Sequence, residues 1–174
     1  MRTRGPGAAC LAGAIALAAF AFPSRPVAGE GPLPVGLVDP VKGGEVTLRP
    51  GDAALHVVFF ATWCEPCLAQ MTRLSEIEDR FRGSGYRLVL IAVPTRQTKE
   101  RLARFVAETA PPGELLFDAT GEAGKAFSLA EIPEHVLLDA AGRVVARGSG
   151  PDAIGDGAIR RALESRSSGA GNRP

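Results

Sequence analysis

The chain has 174 residues, enough for one domain with a sizeable core. Its 20 Lys and Arg against 19 Asp and Glu give a net charge of +1, so no global field recruits nucleic acid or an anionic membrane surface. Specificity must therefore be local.

The first 29 residues read differently from the rest. Arg2 and Arg4 precede an uncharged apolar stretch from Ala8 to Phe22, and Pro23, Pro26, Ala28 and Gly29 follow. A secretory signal has this layout, with an apolar core of ~7–15 residues that falls short of the ~20 needed to span a bilayer. The expectation is an exported, periplasmic or extracytoplasmic protein, with residues 1–29 cleaved as a signal peptide (after Gly29 or after Ala21) or kept as an N-terminal anchor that tethers it to the membrane. Cleavage after Gly29 removes three arginines and leaves 17 basic against 19 acidic side chains. Cys10 leaves with the signal, and Cys64 and Cys67 remain.

Residues 30–36 are Pro/Gly-rich and read as a linker. The domain expected over 37–165 begins with two short strands, Leu37 to Val38 and Glu45 to Leu48, joined by the turn signals Asp39-Pro40 and Gly43-Gly44. Leu55 to Ala61 is a continuous β-branched and aromatic run, the pattern of a strand buried on both faces. From Pro66 to Phe81, Leu68, Met71, Leu74, Ile77 and Phe81 fall at helical spacing, and Gly83 and Gly85 stop the helix. Arg87 to Val93 predicts a second buried strand. Thr98 can cap a helix with Leu102, Phe105, Val106 and Thr109 on one face. A short strand over Glu114 to Phe117 and a short helix over Glu122 to Phe127 follow. Val136 to Asp139 and Arg143 to Ala146 read as antiparallel strands around Gly142. A last helix carries Ile154, Ala158, Ala162 and Leu163 inward and ends near Ser165, and 166–174 reads as a disordered tail. The fold class is α/β.

The chemistry concentrates at Trp63-Cys64-Glu65-Pro66-Cys67. Two cysteines in C-x-x-C spacing at a strand-to-helix junction read as a thioredoxin-like redox motif. Cys64 would sit at the helix N-terminus, where the dipole stabilises an anion by ~0.3–1 kcal/mol, up to ~2 when partly buried, and so lowers a thiol pKa by about one unit. Cys67, one turn later, can attack a mixed disulfide at Cys64. A merely structural bridge would close so small a ring that it constrains the unfolded chain little. A zinc site would want a second pair of ligands, although His135 could join the thiols around copper. Ala61 stands where peroxidatic chemistry would want a threonine. His56 reads as a residue at the entry to the sheet.

FFATWCEPC followed by a helix, and then EIPEHVLLDAAGRVV, resembles the exported thioredoxin-like proteins of the TlpA, ResA and CcmG (DsbE) type over Leu37 to Leu163. The resemblance implies a thioredoxin-like fold, with a mixed central sheet, helices on both faces and an added N-terminal hairpin. It implies a thiol:disulfide oxidoreductase with Cys64 as attacking thiolate, Cys67 as resolving thiol, and substrate held by Trp63, Ile132 and a cis Pro133. It further implies no cofactor, a disulfide-containing client protein, a membrane thiol-disulfide electron donor, a monomer, and a role such as cytochrome c maturation or metal-site assembly. The competing reading is a copper or metallocentre-assembly chaperone using the same thiols and His135.

Two positions depart from that family. Six residues before the first cysteine, where it places a buried Asp or Asn, stands Val58; three after the second, where ResA-like proteins have Glu, stands Gln70. Candidates for a proton relay at Cys67 are Glu65, Gln70, Glu131, Glu134 and His135. The departures predict slower disulfide release than in close relatives.

Overall fold

The computed structural model describes residues 33–49, 51 and 53–169, with side chains as far as Ser165. In chain order the elements are β1 (Val35–Val38), β2 (Glu45–Leu48), β3 (Ala54–Phe60), α1 (Glu65–Ala69), α2 (Met71–Arg80), β4 (Tyr86–Ala92), α3 (Lys99–Thr109), β5 (Glu114–Phe117), α4 (Glu122–Ala126), β6 (Glu134–Leu138), β7 (Val144–Gly148) and α5 (Asp156–Gly169). The seven strands form one sheet in the order β2-β1-β5-β4-β3-β6-β7. Strand β3 is buried along its whole length, parallel to β4 and antiparallel to β6.

Side chains alternate between the two faces of β3. On one face Ala54 packs with Ile77 and Phe81 beside α2 and with Ile159 and Ala162 of α5. Further along the same face, Phe60 lies 6.0 Å from the Phe105 ring of α3. On the other, Phe59 meets Phe127, the residue that closes α4, edge-on at 5.3 Å. Helices therefore cover both faces. The chain steps from β3 to β4 to β5 in one direction, so the right-handed crossover rule puts α1/α2 and α3 on the same side.

Local chemistry accounts for the boundaries. The Thr98 hydroxyl accepts from the Arg101 N–H at 3.2 Å and opens α3. After α3, Gly113 takes φ +69°, and a Cβ there would lie 2.6 Å from the Leu88 carbonyl oxygen. Only glycine fits that approach. Gly142 has φ +79° in the β6–β7 turn, where Asp139 Oδ1 accepts from the N–H groups of Ala141 and Arg143.

Four expectations need correction. The single helix over Pro66 to Phe81 is two, divided at Gln70, whose N–H turns back to the Leu68 carbonyl and whose side chain points into the core. Strand β6 begins two residues early, at Glu134, because Glu134 and His135 continue the ladder with Phe59 and Val58. Val35 and Gly36 belong to β1, where Val35 pairs with Leu48, rather than to a linker. Helix α5 runs past Ser165 to Gly169, which shortens the expected tail. The expected signal segment 1–29 and residues 170–174 lie outside the described residues.

Candidate active site

Strand β3 delivers the chain into the turn Ala61 to Cys64, where the Cys64 N–H bonds the Ala61 carbonyl at 3.1 Å. Cys64 is the N-cap of α1, and its sulfur accepts from the Cys67 N–H at 3.2 Å. The two cysteines are joined as a disulfide, both buried. Helix α1 has only five residues, so its dipole is short, and the directed Cys67 N–H is the more specific stabiliser of a thiolate at Cys64. Pro66 occupies the first turn, where its missing N–H leaves nothing unpaired. Glu65 is exposed.

Trp63 stands beside this turn. Its indole N–H donates to the Thr95 carbonyl at 2.8 Å, and the Arg96 guanidinium lies 4.5 Å from the ring centroid. These contacts hold the ring at 38% exposure over a groove of about 430 Å³. Ile132, Glu131, Leu129, Lys125 and Pro94 line the same groove. The Ile132–Pro133 peptide is cis. Pro133 is buried and immediately precedes the Phe59–Glu134 pair, so the sheet itself carries it to the end of β3 from which the cysteine turn departs. Ser149 Oγ donates to the Pro133 carbonyl at 2.7 Å and secures that loop to β7.

Beneath the turn runs a buried polar chain. Tyr86 Oη lies 2.7 Å from His56 Nδ1, His56 Nε2 lies 3.0 Å from His135 Nδ1, and His135 Nε2 lies 2.9 Å from Gln70 Oε1. Both histidines are essentially sealed from solvent. Burial, with the neighbouring His135 ring adding to it, lowers the His56 pKa to about 3, and burial lowers that of His135 to about 4. Burial also drives the Tyr86 phenol upward. The whole chain is therefore neutral at pH 7.

Neutrality fixes its direction. A carboxamide oxygen only accepts, so His135 Nε2–H donates to Gln70; His135 Nδ1 is then an acceptor for His56 Nε2–H, and His56 Nδ1 accepts from the Tyr86 hydroxyl. Each ring nitrogen has one partner. Gln70 Nε2 is the exception, buried with no hydrogen-bond partner among the described residues.

The structure brings together two of the five proton-relay candidates, Gln70 and His135. Glu134 instead forms an ion pair with Arg147, while Glu65 and Glu131 are exposed. Val58, where the resembling family carries Asp or Asn, is fully buried and pairs directly with His135 across β3 and β6. A base with a pKa of about 4 is a poor proton acceptor near neutral pH, so His135 is weakly suited to deprotonate Cys67. Its two nitrogens are also both engaged, so a role as copper ligand would break this chain. Among the described residues, no group of three or more His, Cys, Asp or Glu side chains could hold a metal ion.

His56 and Tyr86 are the members that sequence reasoning missed, His56 being interior to β3 and not at its entry. A signal was present. His56 lies inside an apolar run and His135 at the head of another, and a buried imidazole must find a polar partner.

Comparison with known proteins is consistent with this architecture. The Redoxin family model matches residues 31–163. The thiol-disulfide oxidoreductase ResA of Bacillus thuringiensis is 26% identical over 87 residues, covering 50% of this chain and 49% of that protein, so the chain spans about half the length of such relatives. The thiol:disulfide interchange protein DsbE homolog of Paracoccus denitrificans is 29% identical over 129 residues, covering 72% of this chain and 64% of that one. In fold, a crystal structure of a putative DsbE from Chlorobium tepidum superposes with a TM-score of 0.62 at 20% identity, covering 82% of this chain and 96% of that one.

Proposed function

This chain belongs to the Redoxin family, and from that premise we propose that it is a thiol:disulfide oxidoreductase that reduces disulfides in client proteins outside the cytoplasm. The observation that carries the reading is the Cys64–Cys67 pair at the start of α1, with Trp63 and Ile132 flanking the adjacent groove and Pro133 brought to the same end of β3. Support for location outside the cytoplasm comes from the signal-like layout of residues 1–29.

In this mechanism the Cys64 thiolate attacks one sulfur of a client disulfide. A Cys64–client mixed disulfide forms and the second client sulfur leaves as a thiolate. Cys67, after passing its proton to the departing sulfur or to water, attacks the Cys64 sulfur; the internal disulfide forms and the client's first sulfur is released. Two electrons have passed to the client, and an external dithiol donor, by family resemblance one at the membrane, restores the reduced pair. The groove beside Trp63 holds the client backbone against Pro133. The exposed Glu65 next to Cys64 disfavours extreme thiolate stabilisation and hence strongly oxidising behaviour, which supports the reductive direction. The resemblance of the FFATWCEPC and EIPEHVLLDAAGRVV segments to the exported family supports clients of the apocytochrome c or metal-site kind.

Turnover of a disulfide-bonded reporter peptide tests the reading. Cys64→Ala should abolish turnover and leave the circular dichroism spectrum unchanged; retained turnover would sink the assignment.

A further inference from the structure

The disulfide form contains a donor without an acceptor. Gln70 is 2% exposed, its carbonyl oxygen is occupied by His135 Nε2–H, and its NH2 group has no partner among the described residues. A buried amide donor left unpaired is costly, and where one recurs at a working site it calls for a reason. Gln70 follows Cys67 by three residues, one helical turn, so the two lie on the same side of the α1 end. Cys67 is fully buried there. In the disulfide its sulfur carries no charge. On reduction it becomes a buried thiol, one turn from Gln70, able to turn into an anion within the core.

We propose that Gln70 is the donor that stabilises the Cys67 thiolate, and that the Tyr86–His56–His135 chain exists to hold the Gln70 amide with its NH2 group facing that sulfur. The proposal rests on the oxidoreductase reading and adds a role that reading does not need. Gln70 would thus replace proton acceptance by a carboxylate with hydrogen-bond donation by an amide. Cys67 would lose its proton to the departing client sulfur or to water, and the Gln70 N–H would bond the thiolate left behind during its attack on Cys64. His135, His56 and Tyr86 are positioning residues. Because every link is neutral and directed one way, reversing the amide would require reversing each donor and acceptor as far as Tyr86.

Other charges around Gln70 are accounted for. On α1 Glu65 is exposed; on α2 Arg73 is paired with Glu76 and Asp152; on β6 Glu134 is paired with Arg147.

The test is titration of Cys67 in the full chain carrying Cys64→Ser, followed by ultraviolet thiolate absorbance against the same chain with Cys67→Ser added. Gln70→Leu should raise the Cys67 pKa by about one unit, a roughly tenfold loss of thiolate at a given pH, as expected for removal of one hydrogen bond to a charged group. His135→Phe should shift it in the same direction by less, because the amide remains but is no longer held. An unchanged or lowered Cys67 pKa in Gln70→Leu overturns the proposal, a lowered value meaning that the carbonyl faces the sulfur. Should Gln70→Leu fail to fold, the side-chain NH2 resonances of Gln70 in the Cys64→Ser chain decide. They should move with the Cys67 titration, and resonances that stay fixed through it overturn the proposal. Neither readout requires client turnover, so loss of the oxidoreductase reading in the Cys64→Ala assay would be seen separately.

Discussion

The two faces of β3 are equally buried, but one is apolar throughout and the other sets a single imidazole among apolar side chains. One carries Leu55, Val57 and Phe59, which meet Val136, Leu138 and Phe127 in an apolar layer. The other carries His56 between Ala54 and Val58 and joins it to Tyr86 on β4 and His135 on β6. The first face is held by area and shape. On the second, three strands and one helix junction must stay in register for four polar groups to satisfy each other. A fold tolerates so much polarity in its centre only where the groups are mutually bonded, and here the bonded chain ends at Gln70, one turn from the resolving cysteine.

Truncating the apolar face should have the largest effect. Phe59→Ala should destabilise the domain by ~3–5 kcal/mol through lost burial and the cavity it leaves, read as a lowered urea midpoint at pH 7. The Cys67 titration should be essentially unmoved, since no member of the polar chain is touched.

Acid should strike the other face alone. The unfolded chain takes up protons on its histidines near pH 6.5, whereas the folded chain resists until about pH 4 for His135 and about pH 3 for His56. Stability is therefore fully present above about pH 6.5 and is lost as pH falls toward 4. At pH 4.5, about two units below the unfolded value, the loss should be somewhat under ~3 kcal/mol per histidine, checked by urea unfolding at both pH values. Replacing both histidines with phenylalanine should flatten that slope, and a slope that persists would place the acid sensitivity elsewhere.

Removing one end of the chain is milder. Tyr86→Phe deletes the hydroxyl that donates to His56 Nδ1 and should cost ~1 kcal/mol or slightly more by leaving a buried acceptor unpaired. Thermal unfolding at pH 7 measures it. Smallest of all should be Asp79→Asn, which breaks an exposed pair with Arg82 worth at most ~0.5 kcal/mol and touches neither face. A larger change in thermal midpoint there than for Tyr86→Phe would contradict the weight given to the buried chain.

Much of this was legible in advance. The apolar run of β3, the Thr98 cap and the Gly142 turn all rest on local chemistry, and each appears within a residue or two of its expected place; of the helical stripe, Leu74, Ile77 and Phe81 turn inward while Leu68 is exposed. The cysteine pair was readable because its spacing and its strand-to-helix setting are both local. The break at Gln70 was not, since nothing in the stretch from Leu68 to Leu74 forbids a continuous helix; an inward contact with a side chain on β6, 65 residues away, accompanies it.

What the sequence by itself determined is the set of elements and the redox pair, because periodicity, capping and C-x-x-C spacing act over a few residues. Only the tertiary structure decided which polar groups meet. The antiparallel register of β3 with β6 sets His135 opposite Val58, and the parallel register of β3 with β4 brings Tyr86 to His56. Register depends on how whole faces bury, a property of the assembled sheet that no short window of residues contains.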